Sequence, residues 1–193
     1  MLYLASQSPR RRQLLGQLGV EFRLLDLDVD EVRGLAEAAG DYVRRVAREK
    51  AGAGLLEVVA VPDAVVLGAD TEVVLDGEVF GKPRDEAHAA EMLRRLSGRG
   101  HEVITAVSVV SAGREAQAVS NSQVRVAAMS DADIARYLAS GEWEGKAGGY
   151  AIQGRYEAHI EHLSGSYSGV MGLPLHETAK LLREFGVVAG TSA

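Results

Sequence analysis

The chain has 193 residues, enough for one domain with a sizeable core, and 47% hydrophobic with 25% charged residues is ordinary globular composition. It contains no cysteine, which excludes a disulfide, a thiolate nucleophile and a Cys-ligated zinc. A formal net charge of −6 argues against broad nucleic-acid binding, which needs a basic surface, and suits a local basic pocket for a small polyanion better.

The first predicted element is a short apolar strand from Leu2, followed by Ser6-Gln7-Ser8-Pro9 and three arginines, Arg10 to Arg12. Ser8 is a good N-cap, Pro9 suits the first helical turn, Leu14, Leu15 and Leu18 recur at helical spacing, and Gly19 stops the helix. Free N–H groups, hydroxyls and the guanidinium groups of Arg10 and Arg11 then meet at one helix N-terminus, which suits phosphate. An ordinary capped helix with solvated arginines is the plainer reading of the same residues. Glu21–Leu27 reads as a second strand, with Asp26, Asp28 and Asp30 on one face and Glu31 displaced from them. That acidic stretch is either a solvated edge or a carboxylate source for a metal.

Asp41–Gly52 reads as a helix on which Lys50 falls in line with Val43, Val46 and Ala47. A lysine there either snorkels to solvent or points into a site. Ala64–Ala69 is a continuous apolar run that predicts a buried strand ending at Asp70, followed by Thr71. A carboxylate at the carboxyl end of such a strand lines the ligand crevice of open α/β sheets and can hold a divalent cation or take a proton from water; the alternative is a turn or capping Asp. Val73–Leu75 and Glu78–Phe80 flank Asp76-Gly77, a hairpin signal. Gly81-Lys82-Pro83 is not a P-loop, because the glycine spacing is short by one and Pro83 stands where Ser or Thr would hold Mg²⁺. Pro83 still biases Lys82 to an extended backbone, as either a phosphate-facing cation or a solvated loop residue.

Further on, Asp85–Leu96 predicts a helix, His101–Ser111 and Val119–Met129 a pair of strands, and Ser130 the cap of a helix through Ala139. Lys146 to Gly154 is a glycine-rich loop without dinucleotide spacing, from which Gln153 can read a base edge with one donor and one acceptor. Tyr156–Leu163 reads as a strand and Pro174–Phe185 as the last helix. His159 and His162 do not form a zinc pair, and no Gly-x-Ser-x-Gly elbow supports a serine hydrolase. The alternation of strands and helices predicts an α/β fold with a mixed sheet, as one domain over residues 1–188 with a loose tail at 189–193. No apolar run approaches the roughly 18 residues of a membrane span and no secretory signal opens the chain, so the expected location is the cytoplasm.

Taken together, Ala5-Ser6-Gln7-Ser8-Pro9-Arg10-Arg11, Glu49-Lys50-Ala51, Gly68-Ala69-Asp70-Thr71, Gly81-Lys82-Pro83, Leu96-Ser97-Gly98, Ile104-Thr105-Ala106-Val107, Lys146-Ala147-Gly148, Ile152-Gln153-Gly154 and Gly172-Leu173-Pro174 stand in an order that resembles the Maf family of nucleotide pyrophosphatases. The resemblance runs from about Leu2 to Phe185. It implies a mixed, curved sheet with flanking helices and two lobes around a cleft, similar to the inosine-triphosphate pyrophosphatase (Ham1) fold. It implies Mg²⁺- or Mn²⁺-dependent cleavage of a nucleoside triphosphate to the monophosphate and pyrophosphate, as nucleotide-pool housekeeping. Asp70 matches the proton acceptor of that family. Arg10, Thr71 and Gln153 match the positions that separate its subgroups, and this combination resembles the group acting on dTTP and UTP; the group acting on 7-methyl-GTP usually has Trp, Gln and Glu there. Gly148-Gly149-Tyr150-Ala151 departs from the Gly-Ala-Tyr-Gly common in the family and leaves Gln153 in register.

The expected site therefore has Asp70, Lys50, Lys82 and Glu31 as catalytic residues, Ser8, Arg10, Arg11, Thr71 and Gln153 as substrate-binding residues, and Asp70 with Glu31 as metal ligands. The expected partners are the nucleoside triphosphate and, as an assembly, a homodimer, with neither membrane nor nucleic acid. A non-catalytic nucleotide- or nucleic-acid-binding regulator of cell division would use the same pocket without turnover.

Overall fold

A computed structural model describes residues 1–34 and 36–188. The tail expected at 189–193 lies outside the described residues. In chain order the elements are β1 (Leu2–Ala5), α1 (Pro9–Gln17), β2 (Phe22–Leu25), α2 (Ala39–Glu57), β3 (Val65–Leu75), β4 (Glu78–Phe80), α3 (Glu86–Leu96), β5 (Gly100–Ser111), β6 (Arg114–Val126), α4 (Asp131–Leu138), β7 (Ile160–Ser164), α5 (Tyr167–Met171) and α6 (Leu175–Glu184). The seven strands form one sheet in the order β2-β1-β3-β5-β6-β7, with β4 paired to β3. β1 runs parallel to both β2 and β3, and the remaining pairs are antiparallel, so the sheet is mixed as the alternation required.

Strand alternation assigns the two faces of β3. Leu67, Ala69, Val73 and Leu75 join the main core with Leu14 and Leu15 of α1, Leu93 and Leu96 of α3, and Leu181 and Leu182 of α6. Val74 faces the other way and packs with Tyr42, Val43, Val46 and Ala47 of α2. One face is thus covered by α2 and the other by the remaining helices. A Cβ on Gly68 would lie 2.4 Å from the Ala47 carbonyl oxygen and 2.6 Å from the Ala51 nitrogen, so only glycine lets α2 lie this close to β3.

The register contains the feature that creates the cleft. β1 pairs with β3 only as far as Leu4 opposite Leu67, and β4 pairs with β3 only from Val73 onward. Between them, Gly68 to Glu72 pair with β5 alone. The side of β3 that β1 vacates is a notch in the sheet, and through it side chains from both faces of β3 reach one cavity.

Several sequence expectations shift here. β3 does not end at Ala69; it continues through Asp70 into the hairpin, because Thr71, Val73 and Val74 remain good strand residues and β5 supplies a full ladder. Asp70 is therefore a mid-strand residue beside the notch, and the strand whose carboxyl end opens the crevice is β1. The second strand is only Phe22–Leu25, so Asp26, Asp28, Asp30 and Glu31 lie in irregular backbone, where alternation does not apply. The strand expected at Tyr156–Leu163 is a 3-10 segment, Arg155–His159, followed by β7; a positive φ at Gly165 ends the strand region. α2 begins at Ala39 and extends to Glu57, and β6 begins at Arg114 and ends at Val126. Ser130 caps α4 in a reciprocal capping box with Asp133, as its position suggested.

Candidate active site

The notch opens into a cleft of about 820 Å³ whose wall includes all nine nominated residues: Ser8, Arg10, Arg11, Glu31, Lys50, Asp70, Thr71, Lys82 and Gln153. They come from the start of α1, the irregular 26–34 segment, α2, β3, the loop after β4 and the loop before the 3-10 segment.

One wall is a chain of alternating charges. Lys50 Nζ donates to Asp70 Oδ1 at 2.9 Å and to Glu31 Oε1 at 2.5 Å. Lys82 Nζ donates to Glu31 Oε2 at 2.8 Å. Lys50 is 8% exposed and Asp70 5%, so the lysine in line with the apolar stripe of α2 points into the site instead of snorkelling outward. The Gly68 contact makes this possible, since it brings the turn of α2 holding Lys50 down onto β3. Burial alone would raise the Glu31 carboxyl. Hydrogen bonds from Lys50 and then Lys82, with the charges of both, outweigh it and hold the group down at about 2.

The opposite wall is cationic. The Ser8 hydroxyl accepts from the Arg11 backbone N–H at 3.5 Å, so α1 starts where the sequence placed it. Arg11 Nε donates to the Gly172 carbonyl at 2.9 Å and its Nη2 to the Thr71 hydroxyl at 3.3 Å; Arg10 Nε donates to the Met171 carbonyl at 3.2 Å. Burial lowers both guanidinium groups from their ordinary value, and for Arg10 the charge of Arg11 adds to it. The Thr105 hydroxyl lies 2.9 Å from that of Thr71 and 2.8 Å from the Gly169 carbonyl, which fixes Thr71 between β5 and α5. Gln153 is exposed on the rim. The backbone just before it is anchored, because the Tyr137 hydroxyl accepts from the Ala151 N–H at 3.0 Å.

Sequence reasoning missed three contributors. α5 was not foreseen, although Ser166 and Gly172 are its cap signals; its side-chain cap and left-handed C-terminal glycine are both present. Thr105 looked like a strand residue and holds Thr71 in place. Glu72 was passed over inside an apolar run, yet it lines the cleft two residues from Asp70, on the same face of β3. Burial, then the charges of Asp70 and Glu31, push its carboxyl up to about 7.

The donor set bears on a divalent cation. Asp70 Oδ2 is buried with no hydrogen-bond partner, and a hard cation is one way to satisfy it. Glu31 fits less well than expected, because both of its oxygens are held by lysines. Among the described residues no three His, Cys, Asp or Glu side chains converge as a self-sufficient metal site. Protein ligands would be few, with the rest coming from ligand oxygens, as is usual for Mg²⁺ on phosphates.

A mixed α/β domain whose sheet is notched over a cleft of arginines, lysines and buried carboxylates is built to bind a polyanion. The chain belongs to the family described as Maf-like protein, whose model matches residues 1–185. It is 60% identical over 188 residues to the dTTP/UTP pyrophosphatase of Xanthomonas euvesicatoria pv. vesicatoria, covering 96% of this chain and 99% of that protein. It is 59% identical over 186 residues to the nucleoside triphosphate pyrophosphatase of Xylella fastidiosa strain M23, covering 96% and 98%. Among solved structures it is similar to the Ham1 protein of Staphylococcus aureus, with a TM-score of 0.47 and 13% identity over 65% of this chain and 71% of that one. Among the described residues no helix is long and apolar enough to cross a membrane.

Proposed function

We propose that this protein is a nucleoside triphosphate pyrophosphatase that converts dTTP and UTP to the monophosphate and pyrophosphate, with a divalent cation, Mg²⁺ or Mn²⁺. The observation that carries the reading is the convergence of nine nominated residues on one cleft, with Asp70 held by Lys50 through one oxygen and its other oxygen open and buried. The names of the 56–60% identical relatives support the same chemistry.

Ser8, the N-terminus of α1, Arg10 and Arg11 receive the phosphate chain from one side, and Lys50 and Lys82 neutralise it from the other. The cation, when bound, adds Lewis-acid stabilisation of charge on the phosphate oxygens, and Asp70 is the residue of the expected pair with an oxygen free to hold it. Asp70 orients a water and accepts its proton as the water oxygen bonds to the α-phosphorus; the bond from that phosphorus to the bridging oxygen breaks, and pyrophosphate leaves. Glu31 spans the two lysines and holds their ammonium groups together until the phosphate chain takes its place. Gln153 presents one acceptor and one donor, matching the O4 and N3–H edge shared by thymine and uracil.

The test is pyrophosphate release from a panel of nucleoside triphosphates, with and without Mg²⁺ or Mn²⁺, for the wild type and Asp70→Asn. Metal-dependent release favouring dTTP and UTP, reduced roughly 100-fold or more in a folded Asp70→Asn protein, is the expected result. Binding without turnover in the wild type would refute the enzymatic reading and leave a nucleotide-binding regulator. Near-normal turnover in Asp70→Asn would remove Asp70 from the role of base.

A further inference from the structure

Glu72 is the most unusual charged group in the protein that the reaction above does not use. It is only 9% exposed, it stands in the interior of β3, and its Oε2 has no hydrogen-bond partner. Asp70, 5% exposed, has the same problem at Oδ2. The two residues are i and i+2 on one strand, so both side chains leave the same face about 7 Å apart at the backbone, and both line the cleft. A buried carboxylate without a partner, beside a second carboxylate, must be neutralised by a proton or a cation. No lysine or arginine hydrogen-bonds or ion-pairs with Glu72 among the described residues; Lys50 and Lys82 are spent on Asp70 and Glu31.

We propose that Glu72 is the second protein ligand of the divalent cation, so that Asp70 Oδ2 and Glu72 Oε2 form a two-carboxylate seat in the notch and Glu31 is not a ligand. The inference rests on the pyrophosphatase reading for the phosphate oxygens that complete the shell.

The test measures the cation directly. Mn²⁺ is titrated into wild-type protein, Glu72→Gln, Glu72→Asp and Glu31→Gln, alone and with a non-hydrolysable α,β-methylene pyrimidine triphosphate, and free Mn²⁺ is counted by its paramagnetic resonance signal. Mn²⁺ affinity should fall at least tenfold in Glu72→Gln, recover in part in Glu72→Asp, and change little in Glu31→Gln. Glu72→Gln without metal should melt no lower than wild type at pH 8, because an unpaired buried charge has been removed. Wild-type affinity in folded Glu72→Gln overturns the proposal. So does loss confined to Glu31→Gln, or an absence of Mn²⁺ binding by the wild type even with the nucleotide analogue. The pyrophosphatase reading fails separately, by wild-type protein releasing no pyrophosphate whatever its Mn²⁺ affinity.

Discussion

Replacing Lys50 by methionine keeps most of the side-chain stem and removes the ammonium. From sequence alone, with the lysine merely in line with an apolar stripe, the change looks nearly neutral for stability. The contacts argue otherwise. Among the described residues Lys50 is the only hydrogen-bond partner of Asp70's carboxylate, and Asp70 is 5% exposed with its other oxygen already unpaired. Deleting the cation leaves a buried, wholly uncompensated carboxylate facing Glu72. Breaking a buried pair in this way costs about 3–5 kcal/mol. Glu31 contributes little to the loss because it keeps Lys82. Urea unfolding at pH 7 should therefore place Lys50→Met about 3 kcal/mol below the wild type. Adding Asp70→Asn to it should recover at least about 1 kcal/mol relative to additivity, the signature of a direct contact. Pyrophosphate release should fall sharply in Lys50→Met even below its melting range. If the single variant unfolds within about 0.5 kcal/mol of wild type, or the two substitutions add without coupling, Lys50 is not the counter-ion of Asp70 and the charge chain described above is wrong.

Gln153→Glu should reduce the preference for dTTP and UTP over dATP and GTP, because an ionised carboxylate cannot donate to O4 and repels the phosphates; kcat/KM for the four nucleotides decides it, and an unchanged ratio would remove Gln153 from base reading. His101, buried against the Tyr150 hydroxyl at 2.7 Å, is pushed down by burial to about 4. The unfolded chain, with an ordinary histidine near 6.5, binds more protons between those values, so stability should fall by up to about 3 kcal/mol as pH drops from 6.5 to 4. Urea midpoints across that range should slope less in His101→Gln, and parallel curves would exclude the assignment. Gly68→Ala forces α2 and β3 apart at the Ala47 and Ala51 backbone and should cost about 2 kcal/mol, a melting point lower by roughly 5 °C, with Lys50 drawn away from Asp70; an unaltered melting point would mean the close approach is not required.

Much of this site was legible because its residues break a local pattern. Lys50 interrupts an apolar stripe, Asp70 interrupts a buried run, and Ser8-Pro9 announces a helix start, so each could be nominated one at a time. What joins them was not legible. Whether Lys50 meets Asp70 depends on the α2–β3 distance set at Gly68, and whether β3 stops at Asp70 depends on the ladder that β5 supplies from 34 residues away. Local propensity carries no information about either. Glu72 was invisible for a related reason: one glutamate among valines reads as a solvent-facing residue of a half-exposed strand, and only the helix laid over that face makes it buried. The acidic stretch from Asp26 to Glu31 fails in the opposite sense, since the expected strand overruns the observed one by one residue at its start and two at its end, and alternation does not hold in the irregular chain beyond.

The Glu31 carboxylate has a consequence for which anions the cleft admits. Two ammonium groups that already own a counter-ion are not an open sink for negative charge. A monoanion gains no more than the carboxylate it must evict, and that carboxylate is tethered, so its effective concentration is high. A chain of phosphates can evict it, because it engages Arg10 and Arg11 at the same moment and brings several charges for the one displaced. The cleft therefore selects by the number of charges an anion brings. Small metabolite anions face an occupied site, while a triphosphate faces a vacancy it makes for itself. Each such exchange also unfastens the irregular 26–34 segment from both lysines at once, tying the position of that segment to whether the cleft holds its polyanion.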